Sequence, residues 1–341
     1  MNKFENIKNH LLNHQYTWLI TGVAGFIGSN LLESLLKLNQ RVVGLDNFAT
    51  GYKKNIAYAL EQLPEKQQHN FQFHEGDIRN LQDCQTVIKG VDYVLHQAAL
   101  GSIPRSINNP LATNDTNVNG FLNMLLTSKN NNVKRFVYAS SSSVYGDSQN
   151  LPKVEDIIGK QLSPYASSKY ANEIYATAFA NSYPITTIGL RYFNVFGARQ
   201  DFKGAYAAVI PTWVSSFLDE KDIYINGDGE TSRDFCYIKN VIQANILAAT
   251  ATDKTALNTV YNIAAGDRTT LNDLFLMIRN GLNKPNDKKP IYRDFRPGDI
   301  RHSLADISKA SKLLGYQPTH SVSTGLTEAL SWYKKHHGEN Q

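Results

Sequence analysis

Cysteine, methionine and tryptophan are scarce in this chain, with two, three and three residues among 341. Two cysteines, Cys84 and Cys236, cannot staple a disulfide framework, so a reducing, cytoplasmic setting is the expectation. No apolar run approaches the ~18 residues of a membrane helix. The most apolar early window, Trp18 to Leu32, contains Thr21, Ser29 and Asn30 and is cut by Gly22, Gly25 and Gly28. It also lacks the apolar core and cleavage site of a signal peptide. Dense charge of one sign is missing too. Thirty-five Lys and Arg against 30 Asp and Glu leave +5, and even Lys334-Lys335-His336-His337 is a short cluster. Nucleic acid and membrane are therefore excluded as expected partners, while a small anionic ligand is not. With 42% hydrophobic and 19% charged residues, the composition also excludes disorder.

What is present is alternation. Residues 1–16 are polar with Phe4, Ile7, Leu11 and Leu12 at helical spacing, which predicts a short N-terminal helix. Apolar, β-branched runs follow at 17–21, 41–45, 71–74, 92–96, 134–139 and 185–190. Helical patterns lie between them at 27–38, 53–63, 81–89, 113–129 and 167–181. Strands separated in this way predict βαβ units and a doubly wound (Rossmann) parallel α/β sheet. After about residue 191 the alternation loosens into short segments at 222–226 and 260–264 and helical patterns at 207–218, 270–282 and 324–335. The expected division is a dinucleotide-binding domain over 1–191, with 1–16 as an extension, and a smaller α/β substrate lobe over 192–341. Late segments can return to the sheet, so that boundary is interleaved.

The first predicted strand runs into Gly22-Val23-Ala24-Gly25-Phe26-Ile27-Gly28 and then a helix. A strand that turns tightly, admits a pyrophosphate and starts a helix against the sheet needs positions without a Cβ. The helix start then offers free N–H groups and a positive dipole end to phosphate. The spacing is GxxGxxG rather than GxGxxG, so the strand–turn–helix context carries the reading. The next strand ends at Asp46, whose carboxylate suits the adenosine ribose hydroxyls and repels a 2′-phosphate, favouring NAD over NADP. Asp77-Ile78, after the third strand, suits the adenine rim.

Ser163-Pro164 predicts a helix start, with Ser as N-cap and Pro at the first helical position. Tyr165 then lies in the first turn, and Lys169, four residues on, shares its face. A phenol is a poor base at neutral pH. A helix N-terminus and an adjacent ammonium favour the phenolate and make Tyr165 a candidate general base. One Y-x-x-x-K is about what chance supplies in a chain with 18 tyrosines, and only Tyr165 fits. Its weight comes from Ser140-Ser141-Ser142-Ser143-Val144-Tyr145-Gly146, which puts hydroxyls at the carboxyl edge of the predicted sheet.

Together, Thr21-Gly22-x-x-Gly25-x-x-Gly28, Gln97-Ala98-Ala99, the serine run and Tyr165-x-x-x-Lys169 resemble the extended short-chain dehydrogenase/reductase superfamily. Leu190-Arg191-Tyr192-Phe193-Asn194-Val195-Phe196-Gly197, Arg233-Asp234-Phe235 and Arg296-Pro297-Gly298-Asp299 narrow the resemblance to nucleotide-sugar 4-epimerases over about residues 17–335. Within that family the sequence resembles the bacterial UDP-N-acetylglucosamine 4-epimerases of surface-polysaccharide pathways. The resemblance implies tightly bound NAD, held by the glycine loop with Phe26 and Ile27, by Asp46 and Asn47, by Asp77 and Ile78, by Gln97, Ala98 and Ala99, and by Tyr165, Lys169 and Val195. It implies that Tyr165 takes the proton of the sugar 4-hydroxyl while hydride leaves C4, and that the 4-keto sugar turns over and is reduced on its other face. Lys169 binds the nicotinamide ribose, and Ser141, Ser142 or Ser143 bonds the 4-oxygen. On the substrate side it implies Arg233 and Arg296 for the diphosphate with Asn194, Asp299 for the uridine ribose, and Tyr224 and Asn226 for the base. Ser102, Arg105 and Val209 are assigned to the substrate as well, and Arg301 adds charge. Ser303 stands where galactose-only epimerases resemble one another in having Tyr, which leaves room for an N-acetyl group.

A 4,6-dehydratase is disfavoured because the serine loop has no carboxylate before Asp147; a uronic-acid decarboxylase is excluded less firmly. The alternatives kept are epimerases of UDP-N-acetylhexosaminuronic acid, which need an extra cation such as Arg105 or Arg301, and of UDP-glucose/UDP-galactose. A lipid-linked N-acetylglucosamine epimerase is disfavoured, since no amphipathic membrane segment is visible in the sequence. A non-catalytic dinucleotide sensor would have lost Tyr165 or Lys169. His96 and His302 have no partner at metal-ligand spacing, so no metal is expected. Helices 113–129 and 167–181 are the expected four-helix interface of a homodimer.

Overall fold

The six early apolar runs become strands β1 (Thr17–Thr21), β2 (Arg41–Asp46), β3 (Phe71–Glu75), β4 (Tyr93–His96), β5 (Arg135–Ser141) and β6 (Thr187–Tyr192). The computed structural model describes residues 2–202, 207–295 and 300–338. In it these strands join a later one, Thr259–Ile263, in a seven-stranded sheet of order 259–263, β6, β5, β4, β1, β2, β3. Every pairing is parallel. The strand order reverses between β1 and β4, the switch point where doubly wound sheets bind ligands beyond their carboxyl ends. The last sheet strand thus comes from the second half of the chain. The helix Ile238–Ala249, buried along nearly its whole length, also packs against the sheet.

The N-terminal helix α1 (Lys3–Asn13) is fastened by Gln40, which is fully buried between it and the sheet. The Gln40 amide donates to the carbonyls of Leu11, His14 and Leu38, and its oxygen accepts from Tyr16 N and Trp18 Nε1. Helix α2 (Phe26–Lys37) follows β1 and buries Leu31, Leu32, Leu35 and Leu36.

One predicted helix is broken. The 113–129 pattern resolves into Pro110–Asn114, a π-helical turn over Asp115–Asn119, and Gly120–Asn130. The cause is Asn117, which turns inward in that wide turn. Its side chain pairs with both backbone groups of Leu100, after β4, and donates to Ser168 Oγ. Extra turns of this kind cluster at functional sites. Among the described residues no helix is long and apolar enough to cross a membrane.

Candidate active site

Gly22 turns the chain out of β1 at φ 72°, and a Cβ there would lie 2.8 Å from Ala98 N. The backbones after β1 and β4 therefore touch, which gives Gln97-Ala98-Ala99 its place opposite the glycine loop. Gly25 is the N-cap of α2 and supplies no side-chain cap, so the first N–H groups of the helix face outward unpaired by a side chain. Asp46 closes the third side. Its carboxylate accepts Ala24 N at 2.9 Å and Phe48 N at 2.8 Å, while burial holds its pKa above the ordinary value.

A cleft of about 540 Å³ opens at this point. Gly22, Gly25, Phe26, Ile27, Gly28, Asp46, Asn47, Asp77, Ile78, Gln97, Ala98 and Ala99 line it, as do Ser102 and Arg105. An uncapped helix start, a Cβ-free cradle and a buried carboxylate fit a dinucleotide with a free 2′-hydroxyl. Asp77 is less open than its position implies. It accepts from Arg79 and from Asn47 Nδ2, and its pairing with Arg79 holds its pKa below the usual carboxylate range. Arg79 was not singled out by sequence; its two-residue offset from Asp77 is the signal that could have found it. Ser102, expected with Arg105 to meet the substrate, caps the helix Ile103–Asn108 at φ 89°, and both residues line the same cleft.

The helix Pro164–Ser182 starts as its sequence predicts, with Ser163 Oγ accepting Ala166 N and Pro at the first position. Tyr165 sits in its first turn. Burial raises the phenol pKa, and a hydrogen bond from the Ser141 hydroxyl offsets part of that rise. Ser141 Oγ also accepts Ser143 N at 3.1 Å, so the strand end and the following 3-10 turn (Ser142–Tyr145) form one polar ledge beside the phenol. Ser143 Oγ is itself buried, with no hydrogen-bond partner among the described residues. Lys169 is buried, donates from Nζ to the Ala139 carbonyl at 2.9 Å, and is brought down by that burial to about 8. His96, at the end of β4, is buried and bonded to Thr21 Oγ1. Burial first, and the Lys169 charge second, bring it down to about 3, so it is neutral.

Among the residues expected to meet the substrate, Asn194 adopts φ 33° and donates Nδ2 to the Asp234 carbonyl. Arg233 donates NH1 to the Ser232 and Arg301 carbonyls, and Ser303 N donates to Ser232 O. Arg301 lies over the Phe295 ring. Tyr224 is exposed beneath the Arg293 guanidinium, 3.3 Å from its ring centre, and Asn226 ends the same short strand. Val195 begins a two-residue strand beside Cys236-Tyr237, and Val209 begins the helix Val209–Leu218. Arg296 and Asp299 lie outside the described residues. Asp234, part of the Arg233-Asp234-Phe235 motif, carries no role in the expected site. It is fully buried, accepts N–H groups from Ala265, Gly266 and Ala305, and is pushed up by burial to about 7.

The family model for "NAD dependent epimerase/dehydratase family" matches residues 18–264. The chain belongs to that family. Its cofactor is NAD. A UDP-N-acetylglucosamine 4-epimerase from Methanobrevibacter ruminantium M1, solved with UDP-N-acetylmuramic acid, is 38% identical with a TM-score of 0.86, over 94% of this chain and 99% of that one. A putative UDP-glucose 4-epimerase of Methanocaldococcus jannaschii is 36% identical over 93% of this chain and 98% of its own length. A UDP-glucuronate 4-epimerase of Thermodesulfobacterium geofontis is 34% identical, with 93% and 96% covered.

Proposed function

We propose that this NAD-dependent nucleotide-sugar 4-epimerase interconverts UDP-N-acetylglucosamine and UDP-N-acetylgalactosamine. The 4-epimerase class rests on the family match, on relatives that bear that name, and on Tyr165, Lys169 and the serine ledge standing at one sheet edge. When bound, NAD supplies a reversible hydride acceptor that returns unchanged at the end of each cycle. The chain supplies the proton handling. Tyr165 takes the proton of the sugar 4-hydroxyl and gives one back after inversion, and Ser141 stabilises its phenolate by donating to it. Lys169, held one helical turn away, adds a positive charge that favours the same phenolate. Ser143, whose buried hydroxyl has no partner among the described residues, is the group we assign to the 4-oxygen. Arg233 with Asn194, and Arg296 with Asp299, are assigned to the nucleotide diphosphate and ribose.

The N-acetyl preference rests on Ser303. It is a small residue on the segment that runs beside Ser232 and Arg233, where a bulky ring would take up the space of a 2-N-acetyl group. The test is incubation with UDP-N-acetylglucosamine, UDP-glucose and UDP-glucuronate, with products read by NMR. We expect inversion of the N-acetylated sugar at the highest kcat/KM. Ser303→Tyr should lose that sugar by about tenfold or more while keeping UDP-glucose, because a pocket lacking room for a substituent discriminates by roughly 1–3 kcal/mol. Equal losses on both sugars refute the pocket argument.

A further inference from the structure

We propose that Glu173 and Arg191 act as a positioning pair that holds the Ser141–Ser143 ledge against Tyr165. Glu173 follows Lys169 by four residues, as Lys169 follows Tyr165, so the three share a face of the Pro164–Ser182 helix. Ser140 on β5 and Arg191 on β6 stand directly opposite each other in the sheet. Glu173 joins them. One carboxylate oxygen accepts both the Ser140 hydroxyl and Arg191 Nε, the latter at 2.9 Å, and the other accepts Arg191 NH2 at 2.7 Å. The helix that carries the base is thereby tied to the strand that carries the serines.

The far end of the ledge is tied through the same arginine. Its guanidinium lies 4.8 Å over the Tyr145 ring, and its NH1 donates to the Glu155 carbonyl at 2.8 Å. Tyr145 in turn donates to Asn262 Oδ1 at 2.6 Å, and Asn262 Nδ2 donates to the Lys153 and Asp306 carbonyls. Residues 141–144 are therefore clamped on both sides, by Ser140 before them and Tyr145 after them. Ser140, Tyr145, Glu173, Arg191 and Asn262 are all buried. A buried ion pair contributes little to net stability compared with apolar residues of the same volume, so its value here lies in the geometry it fixes. Misplacement of reacting groups by about 1 Å costs on the order of 100-fold in rate without weakening substrate binding to match. Glu173 and Arg191 act on the reaction through the ledge.

Two variants test the pair. Ser140→Ala cuts only the strand tether, and Glu173→Gln with Arg191→Gln removes both charges so that neither is left buried alone. Three readouts are kcat and KM on whichever UDP-sugar the wild type turns over, bound NAD per chain, and backbone hydrogen exchange of residues 138–147 without substrate. We expect kcat to fall about tenfold in Ser140→Ala and about 100-fold in the double variant. KM should stay within about threefold, NAD content should be full, and exchange should rise in 138–147 but not in the glycine loop. Unchanged exchange in 138–147 with kcat within twofold of wild type overturns the proposal. So does a rise in KM with kcat intact. If the double variant fails to fold, Ser140→Ala decides by the same criteria. Should the wild type turn over no UDP-sugar, the epimerase reading fails, and the exchange measurement alone decides the pair.

Discussion

A Cβ placed on Gly28 falls 2.1 Å from the carbonyl oxygen of Gly22. The clash is with backbone, which no rotamer can relieve. Alanine at a helical glycine ordinarily gains about 1 kcal/mol, whereas overpacking a site of this kind costs roughly 1–3 kcal/mol. Overpacking should win. We expect Gly28→Ala to lower Tm and to purify with less bound NAD, read by calorimetry and by the absorbance of extracted cofactor.

Tyr165→Phe should reduce kcat by about 10²–10⁴, the usual share of a general base, and leave bound NAD unchanged. The deprotonated phenol is the active form, so kcat/KM should climb with pH as Tyr165 ionises. Ser141 donates the hydrogen bond that lowers this pKa against burial. Its removal in Ser141→Ala should move the climb to higher pH. A profile that stays where it is in Ser141→Ala would separate that serine from the base.

Asp234 gives the stability of the fold a definite pH slope. Its pKa is raised to about 7 in the fold by burial, from an ordinary 3.8. Between those values the folded chain holds a proton that the unfolded chain has lost. Stability from this group is therefore full below about pH 4 and declines as pH rises towards 7, by at most about 1.4 kcal/mol per pH unit. Asp234→Asn cannot titrate. Across pH 4–7 its Tm should decline less than that of wild type, and parallel curves would count against the assignment.

Leu126, Ile174 and Tyr175 are exposed apolar residues on the helices Gly120–Asn130 and Pro164–Ser182. We expect them to be covered in a homodimer, since apolar residues clustered on neighbouring helices mark association surfaces. Light scattering should give twice the chain mass for wild type and a single chain mass for Ile174→Asp. A monomeric wild type would refute the interface.

Local signals made much of the site legible. The glycine loop, the Ser163 cap, and the four-residue step from Tyr165 to Lys169 each lie within a few residues of chain, where spacing alone fixes the geometry. The six leading strands were legible for the same reason. Contacts across long separations were not. Nothing near Glu173 announces Ser140 or Arg191, and nothing near Asp234 announces Ala265 or Ala305. Asn117 reads as an ordinary helical residue until Leu100 is seen to need its amide. Ser102 and Arg105 read as residues of one loop, and their place beside Gly22 and Ala98 in the cleft depends on the sheet order.

The edge strand Thr259–Ile263 pairs with β6 along its full length. During synthesis β6 leaves the ribosome well before its neighbour exists. Until residue 263 has been made and docked, β6 carries an open edge of unpaired backbone beside the catalytic strand β5, and such an edge invites pairing with other chains. Expression of fragments ending between residues 192 and 258 should thus yield aggregates rather than a free-standing cofactor domain. In the living cell the same interval is when the nascent chain most needs a chaperone.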